Sequence, residues 1–298
     1  RSVWPRSRWL IVTTAGQADM VRQALPLPLR SCLVVEPQIK NTAACLTLAA
    51  AIVAARDPDG VLVAAPADHW VSHAAAFRRS IRAAVLAAVR HQTIATIGIR
   101  PTSPDPGLGY LCARDRRLVR FIEKPPRALA ARLIRRPGTY WNSGIFISPA
   151  RVLLDRVAQH LPAHTRRLAP LGSAWGTRRF TALARRAYRG LDAVSFDHGV
   201  MVHVRDGVVV EGRFGWTDLG SWDAWAKVGR PAARTLSVES TRVTVVGNHE
   251  HLVATIGVRD LVVVHTPSAT LICPTSHAQR VREIVKQLWQ DPQWAPYR

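Results

Sequence analysis

The chain has 298 residues, of which 48% are hydrophobic, and it carries a formal net charge of +21. A chain of this length can bury a sizeable core and corresponds to about one or two domains. Its cysteines lack the close spacing of a zinc site or a disulfide framework: Cys32, Cys45, Cys112 and Cys273. Arginines account for most of the positive charge and no nucleic-acid-binding motif organises them, so the sequence predicts no specific nucleic-acid partner.

Apolar runs and helical patterns alternate through the first half of the chain. Strands are predicted over residues 10–13, 31–35, 60–64, 93–99, 109–113 and 145–147. Helices are predicted over residues 15–24, 42–55, 74–91 and 127–134. This alternation predicts an α/β fold with a Rossmann-like mixed, mainly parallel sheet flanked by helices.

The second half of the chain has a different texture. Residues 151–189 are basic and have a helical pattern, whereas short β runs follow at 243–246, 251–256 and 261–265. Turn residues separate these runs, and residues 281–289 predict a closing helix. We therefore expect a first domain over residues 1–230 and a small β domain over residues 231–298.

The longest apolar stretch covers residues 46–55 and ends at Arg56 and Asp57. This is shorter than the roughly 20 residues that a membrane-spanning helix needs, so a buried helix is predicted. No charged and then apolar signal sequence opens the chain. The expected location is cytoplasmic, with no membrane partner.

Polar side chains accompany several of the predicted strands. Asp68 follows the apolar run 61–65, and ligands of open α/β sheets gather at the carboxyl ends of such strands. Glu123 and Lys124 follow another β-type run, and Asn142 precedes the run 145–147. Carboxylate, amide and ammonium groups together suit a divalent cation, sugar hydroxyls and a phosphate. Helix capping, turn formation or an exposed ion pair would explain each residue taken alone.

The segment 214–222 places Asp218 among glycines and aromatic residues. Aromatic faces can cover the apolar face of a sugar ring, while glycine lets the backbone approach a ligand closely. The alternative is a tight turn that packs into the core.

Seven segments carry a family resemblance in a fixed order. They are VEPQIKNTA at 35–43, PADH at 66–69, TIGIRPT at 96–102, GLGY at 107–110, FIEKP at 121–125, WNSG at 141–144 and WTDLGSW at 216–222. In these segments the sequence resembles the mannose-1-phosphate guanylyltransferases, which belong to the wider sugar-nucleotidyltransferase family. The resemblance implies a nucleotidyltransferase domain followed by a small left-handed β-helix-like domain.

The resemblance also implies a reaction and a set of site residues. Mannose 1-phosphate would react with GTP to give GDP-mannose and pyrophosphate, and the enzyme could assemble as a homo-oligomer. The implied catalytic residues are Asp68, Lys124 and Asp218, with Asp68 and Asp218 as ligands of Mg²⁺. The implied sugar-binding residues are Gly109, Glu123 and Asn142. The implied nucleotide-binding residues are Glu36, Asn41 and Thr42, of which Asn41 could instead cap the following helix.

One family motif is not present in this sequence. Relatives carry a glycine-rich loop of the form GGxGTRLxPLS after a first strand, and that loop binds the triphosphate. We expect this strand to lie between the strands predicted at 10–13 and 60–64, and we expect catalysis without the loop to be impaired. Two alternatives stay open: a non-catalytic paralogue or regulatory subunit that binds a sugar nucleotide, and a nucleotidyltransferase for another sugar 1-phosphate or base.

Overall fold

The computed structural model of the chain describes residues 5–219, 233–248 and 250–297. Its strands are β1 (Ile11–Thr14), β2 (Leu33–Glu36), β3 (Val61–Ala64), β4 (Trp70–Val71), β5 (Ala95–Ile99), β6 (Tyr110–Arg114), β7 (Arg117–Ile122), β8 (Thr139–Pro149), β9 (Val208–Gly212), β10 (Trp216–Thr217), β11 (Arg234–Val238), β12 (Thr241–Val246), β13 (Leu252–Ile256), β14 (Arg259–His265) and β15 (Thr270–Pro274). Its α-helices are α1 (Ala18–Ala24), α2 (Asn41–Arg56), α3 (Ala74–His91), α4 (Arg127–Leu133), α5 (Ala150–His160), α6 (Pro162–Leu168), α7 (Leu171–Ala174), α8 (Phe180–Tyr188), α9 (Phe196–Gly199) and α10 (Val281–Gln290).

The chain divides into two compact units. The first contains the residues up to Pro66 together with His73–Phe214, and the second contains Ala67–Ser72 together with the residues from Gly215 onward. The second unit therefore includes a short piece of the first half of the sequence, in which Asp68 lies. The domain boundary predicted between Arg230 and Pro231 lies outside the described residues and stays a prediction.

The first unit contains a six-stranded sheet in the order β3-β8-β5-β9-β7-β6. Strand β8 is antiparallel to β3, β5 and β6, and β7 is antiparallel to β6 and β9, whereas β5 and β9 are parallel. Strands β3, β5, β6 and β9 therefore share one direction, which confirms the α/β class and the mixed sheet. Four of the six strands thus point the same way, and the two that run opposite, β7 and β8, lie between them.

Strands β1 and β2 form a separate parallel pair in the first unit. Among the described residues, β1 pairs with β2 alone and β3 pairs with β8 alone. Each of these two strands is thus the end strand of its sheet. The strand that the sequence analysis expects between them stays a prediction.

Helix α2 lies between two parts of the core, because it is apolar on two opposite faces. Leu46 and Ala50 belong to a cluster with residues of β3, β7, β8 and α5. Leu48 and Ile52, on the other face, belong to a cluster with Val34 of β2 and residues of α8. The spacing of four residues within each pair places its members on one face of the helix. Burial of both faces explains why the apolar stretch 46–55 is a core helix, as predicted.

The second unit contains stacked parallel strands. Strand β11 pairs with β13 and β12 pairs with β14, and in both pairings the partners lie 18 positions apart in the sequence. Side-chain contacts repeat at the same interval, as between Ser237 and Thr255 and between Arg242 and Asp260. A constant offset between parallel strands means that the chain coils and returns to the same edge after each turn. This is the arrangement of a β-helix.

Among the described residues, no helix has the length and apolar character needed to cross a membrane.

Candidate functional site

Three predicted residues of the first unit lie side by side because of strand register. Gly109 immediately precedes β6, Glu123 immediately follows β7, and Asn142 lies within β8. Tyr110 is opposite both Ile122 and Trp141, so the next position places Gly109 beside Glu123 and Asn142. The backbone N–H of Asn142 donates to the carbonyl oxygen of Gly109 over 2.8 Å, which extends the ladder by one residue.

The neighbours of Gly109 leave little room for a side chain at that position. A Cβ atom there would lie 2.6 Å from Oε2 of Glu123 and 3.1 Å from Cζ of Phe121. The carboxylate of Glu123 therefore occupies the space beside the glycine backbone. Its side chain is 12% exposed, so it is held in place and not freely solvated.

The side-chain amide of Asn142 is fixed at both ends. Its Oδ1 accepts from the backbone N–H of Gly144 (3.2 Å), while the hydroxyl of Thr96, 3.4 Å away, donates its single hydrogen over a shorter distance to the carbonyl oxygen of Ile145 (3.0 Å). Because a backbone N–H can only donate, the bond from Gly144 defines which end of the amide is the oxygen. Its Nδ2 donates to Oδ1 of Asp197 over 2.8 Å.

Asp197 is a member of this site that no sequence pattern indicated. It lies in the short helix α9, and burial raises the pKa of its carboxyl group, an effect that hydrogen bonds, among them the one from Asn142, partly offset. Burial also raises the pKa of Glu123, and the charge of Asp197 raises it further, so the two carboxyl groups interact. Lys124 and His198 lower both pKa values. We call Gly109, Glu123, Lys124, Asn142 and Asp197 the Glu123 cluster.

Lys124 is the cation of the Glu123 cluster. Its Nζ lies 3.9 Å from Oε1 of Glu123, and its side chain is 63% exposed. Its backbone has a φ of 43°, in the left-handed region that non-glycine residues rarely adopt. Such strain costs about 1–3 kcal/mol and concentrates at functional sites, where the surrounding structure holds it.

The predicted nucleotide-binding residues divide between two surroundings. Glu36 is buried, and Oε1 accepts a hydrogen bond from the hydroxyl of Tyr188 over 2.9 Å. Burial raises the pKa of Glu36 to about 7, although the bond from Tyr188 lowers it in part. The charge of Glu36 in turn contributes to the pKa of Cys45, which burial raises to about 12. Glu36 therefore faces the part of the core that contains Tyr188.

Asn41 and Thr42 form the start of helix α2. The Oδ1 atom of Asn41 accepts from the N–H of Thr42 over 2.8 Å, and the φ of Asn41 is 63°. The hydroxyl of Thr42 accepts from the N–H of Phe196 over 2.8 Å. Since Phe196 precedes Asp197, Thr42 is connected to the Glu123 cluster, whereas Glu36 is connected to Tyr188.

The second unit contains the two predicted metal ligands. Strands β4 and β10 pair with Trp70 opposite Thr217, so the next position of each strand places His69 beside Asp218. Burial lowers the pKa of His69, and the charges of Asp68 and Asp218 both act to raise it. The charges of both acids therefore act on the same histidine, and their joint role as metal ligands stays a prediction.

The ring of His69 is oriented by Trp216. The indole Nε1 of Trp216 donates to Nδ1 of His69 over 3.1 Å, and the rings meet edge to face with centroids 5.2 Å apart. An indole N–H can only donate, so Nδ1 is the accepting nitrogen and the neutral ring carries its hydrogen on Nε2. The bond from Trp216 therefore fixes the orientation of the His69 ring.

The aromatic segment 214–222 has two different roles within the described residues. Phe214 is fully buried and packs edge to face on Phe77, with ring centroids 5.1 Å apart. Phe214 therefore belongs to the core, in line with the alternative of core packing, while the covering of a sugar by the tryptophans stays a prediction. The last three residues of the segment, Gly220, Ser221 and Trp222, lie outside the described residues.

The donor set of Asp68 and Asp218 is chemically suited to a hard divalent cation. Among the described residues, no group of three or more His, Cys, Asp or Glu side chains is arranged to hold a metal ion. Two carboxylates alone fit Mg²⁺, which commonly takes one or two protein carboxylates and completes its shell with substrate phosphates and water.

Profiles of two protein families match the chain. Residues 7–234 match the family described as nucleotidyl transferase. The chain belongs to the nucleotidyl transferase family. Residues 233–288 match the mannose phosphate isomerase/GMP-like beta-helix domain, which confirms the small β-helix domain that the resemblance implies.

Similar proteins confirm the resemblance of this nucleotidyl transferase to mannose-1-phosphate guanylyltransferases. It is 32% identical over 273 residues to a putative mannose-1-phosphate guanylyltransferase of Vibrio cholerae serotype O1 and 30% identical over 275 residues to a mannose-1-phosphate guanylyltransferase of Sinorhizobium fredii. These matches cover 87% and 88% of this chain but 58% and 54% of the relatives, so the chain spans little more than half their length.

A solved structure extends the similarity to three dimensions. The crystal structure described as mannose-1-phosphate geranyltransferase from Thermus thermophilus has a TM-score of 0.83 to this nucleotidyl transferase and is 31% identical to it. The match covers 96% of this chain and 85% of that protein.

Proposed function

We propose that the protein is a sugar-phosphate nucleotidyltransferase that forms GDP-mannose and pyrophosphate from GTP and mannose 1-phosphate. The observation that supports this most directly is the Glu123 cluster, in which an ordered amide, a glycine backbone, a carboxylate and a lysine adjoin. This combination offers hydrogen-bond acceptors for sugar hydroxyls and a cation for a phosphate.

The reaction joins two anions. An oxygen of the sugar phosphate forms a bond to the α-phosphorus of the nucleotide, the bond from that phosphorus to the bridging oxygen breaks, and pyrophosphate leaves. The attacking phosphate is already ionised, so the protein has to position the reactants and neutralise their charge, and no general base is needed.

The residues of the Glu123 cluster have separate tasks in this proposal. Glu123 accepts hydrogen bonds from sugar hydroxyls, and the backbone at Gly109 approaches the ring. Lys124 binds a phosphate as a point charge, because its exposed ammonium group lies 3.9 Å from the carboxylate of Glu123. Asn41 and Thr42 bind the nucleotide at the start of α2. Glu36 is the third nucleotide-binding residue of this proposal.

Asp68 and Asp218 would hold Mg²⁺. When bound, the cation would neutralise charge on phosphate oxygens and so lower the repulsion between the reactants.

The resemblance to the mannose-1-phosphate guanylyltransferases implies a glycine-rich triphosphate loop, and the sequence of 298 residues contains no such motif. We therefore expect turnover to be impaired more than binding of the product GDP-mannose. The reason is that donors to the triphosphate supply transition-state stabilisation of roughly several kcal/mol. A cytoplasmic location and a homo-oligomer are further predictions.

The test is an assay of the chain with GTP, mannose 1-phosphate and Mg²⁺, with pyrophosphate release and GDP-mannose both measured. Formation of GDP-mannose supports the proposal. Calorimetric binding of GDP-mannose without turnover, even when a loop-bearing segment is added, would instead indicate a non-catalytic sugar-nucleotide-binding protein. A preference for UTP or dTTP with glucose 1-phosphate would indicate another substrate pair, and neither binding nor turnover with any of them would contradict the proposal.

A further inference from the structure

Asp197 belongs to the Glu123 cluster but has no role in the function proposed above. Its Oδ1 accepts from Nδ2 of Asn142, and its own backbone N–H also bonds to the carboxylate. A carboxylate has about four acceptor positions on its two oxygens, so these two bonds leave acceptor capacity for a ligand.

The backbone around Asp197 is firmly anchored. Phe196 is fully buried, its N–H donates to Thr42, and its ring lies against Phe146 with centroids 5.1 Å apart. On the other side, the hydroxyl of Ser195 accepts from the N–H of His198 over 3.2 Å. These bonds fix the position from which the carboxylate of Asp197 projects.

The amide of Asn142 is engaged inside the protein at both ends. Its Oδ1 accepts from the backbone N–H of Gly144, and one of its two N–H donors is directed to Asp197. Its main contacts are therefore internal, and they orient the carboxylate of Asp197. This changes the expected role of Asn142 from a direct contact with the sugar to a positioning residue.

Asp197 and Glu123 are close enough for their charges to interact, although both are partly desolvated. Two neighbouring carboxylates cannot bond to each other while both are ionised, but each can accept from a separate hydroxyl group. Adjacent hydroxyls of a sugar ring supply donors of this kind, and bonds to a charged acceptor are the stronger class of hydrogen bond.

We propose that Asp197 is a specificity-determining residue that, held by Asn142, accepts a hydrogen bond from a hydroxyl of the sugar while Glu123 accepts from another. The ligand class is the hexose part of a sugar nucleotide, so this inference rests on the proposed function. Asp197 acts on the sugar and not on the nucleotide.

The first test compares GDP-mannose with GDP by calorimetry, in the presence of Mg²⁺, for the wild type and Asp197→Asn. The substitution keeps an acceptor for Asn142 but replaces one carboxylate oxygen by a donor. We expect the affinity for GDP-mannose to fall about tenfold or more and the affinity for GDP to stay unchanged. Asp19→Asn, which alters an exposed carboxylate beside Arg22, is the matched control and should change neither affinity.

The outcomes separate the inference from the function on which it rests. If Asp197→Asn matches the wild type for both ligands, or weakens both equally, the sugar-binding role is wrong while the proposed function stands. If the wild type binds neither GDP nor GDP-mannose, the proposed function fails and the role of Asp197 fails with it.

The second test does not depend on the folding of a variant. The wild type is titrated with GDP-linked mannose that lacks one hydroxyl, with the 2-, 3-, 4- and 6-deoxy sugars in turn. At least two of the four should bind about tenfold more weakly than GDP-mannose. The reason is that one analogue lacks the hydroxyl that donates to Asp197 and another lacks the hydroxyl that donates to Glu123. Equal affinity for all of them would overturn the inference.

The positioning role of Asn142 has its own readout. Introduced into the wild type, Asn142→Ala should weaken the affinity for GDP-mannose severalfold. Introduced into Asp197→Asn, the same change should have little further effect on that affinity. Fully additive losses would show that Asn142 acts independently of Asp197 and would overturn this part of the proposal.

Discussion

The hydroxyl of Tyr188 in helix α8 donates a 2.9 Å hydrogen bond to Oε1 of Glu36 at the end of strand β2. The two residues lie 152 positions apart in the sequence, and both are buried. This bond stabilises a carboxyl group that burial would otherwise leave without a partner.

Glu36→Gln should remove a pH-dependent loss of stability. The unfolded pKa of glutamate is about 4.3 and that of folded Glu36 is about 7, so between these values the unfolded chain loses a proton that the folded chain keeps. Wild-type stability attributable to Glu36 is therefore present below about pH 4.3 and is lost as pH rises to about 7. At pH 8 the variant should be more stable than the wild type by up to about 3 kcal/mol.

Urea unfolding of both proteins at pH 4.5 and pH 8 measures this difference. Glu239→Gln, at an exposed position, serves as the control and should show no comparable change with pH. A difference between the wild type and Glu36→Gln that is the same at both pH values would contradict the assignment.

Gly109→Ala should weaken sugar binding without a large effect on folding. The new methyl group would displace the carboxylate of Glu123, which is the far end of a side chain and can move. We expect a loss of about tenfold in GDP-mannose affinity, equivalent to one hydrogen bond to a charged group. Calorimetry measures this, with Gly16→Ala as the control because that position has no atom within 4 Å of the added carbon. An unchanged affinity in Gly109→Ala would argue against a ligand beside Glu123.

Asp68→Asn and Asp218→Asn should each reduce the response to Mg²⁺. Replacement of a charged ligand by a neutral amide weakens the hold on a hard cation. Each variant should need at least tenfold more Mg²⁺ for half-maximal nucleotide binding, and its turnover should fall by about 10²-fold or more, in line with the loss of one charge-stabilising group. Titration of GTP binding against Mg²⁺ measures the first effect. The control is Asp260→Asn, which alters an exposed ion pair with Arg242 in the same unit. An equal change in the Mg²⁺ requirement of all three variants would argue against Asp68 and Asp218 as metal ligands.

Gly172→Ala should destabilise the first unit, for a steric reason. A Cβ atom at Gly172 in helix α7 would overlap the carbonyl oxygen of Ala51 in helix α2. Because backbone cannot move aside as a side chain can, we expect a loss of about 2–3 kcal/mol in the free energy of unfolding. Thermal unfolding compared with Gly16→Ala tests this, and equal midpoints would show that the two helices can separate at little cost.

Local sequence patterns predicted the elements whose burial follows a regular period. Helix α3 has the bounds predicted for it, Ala74–His91, because its apolar residues recur at helical spacing. Strand β8 was predicted only over residues 145–147, yet it covers Thr139–Pro149. The polar residues before Ile145 have the composition of a turn, but inside the sheet Ser143 donates to the carbonyl of Ile97 and so satisfies its hydroxyl within the strand.

The site was predictable where its residues follow a strand, and not where they depend on distant contacts. Glu123 and Asn142 adjoin predicted strands, so their segments indicated a site. Asp197 follows no strand and gains its place from a bond to Asn142, 55 positions away, which no local pattern encodes. The bond from Trp216 to His69 is likewise the result of β4 pairing with β10.

The constant interval of 18 residues in the second unit limits how its length can change. Adding or deleting one whole coil would leave every remaining side chain on its own face, because successive residues of a strand alternate between inside and outside. Adding or deleting a single residue within a strand would instead turn the following apolar side chains of that strand toward water. Evolution can therefore lengthen this part of the molecule in steps of a full turn far more easily than by single insertions within its strands.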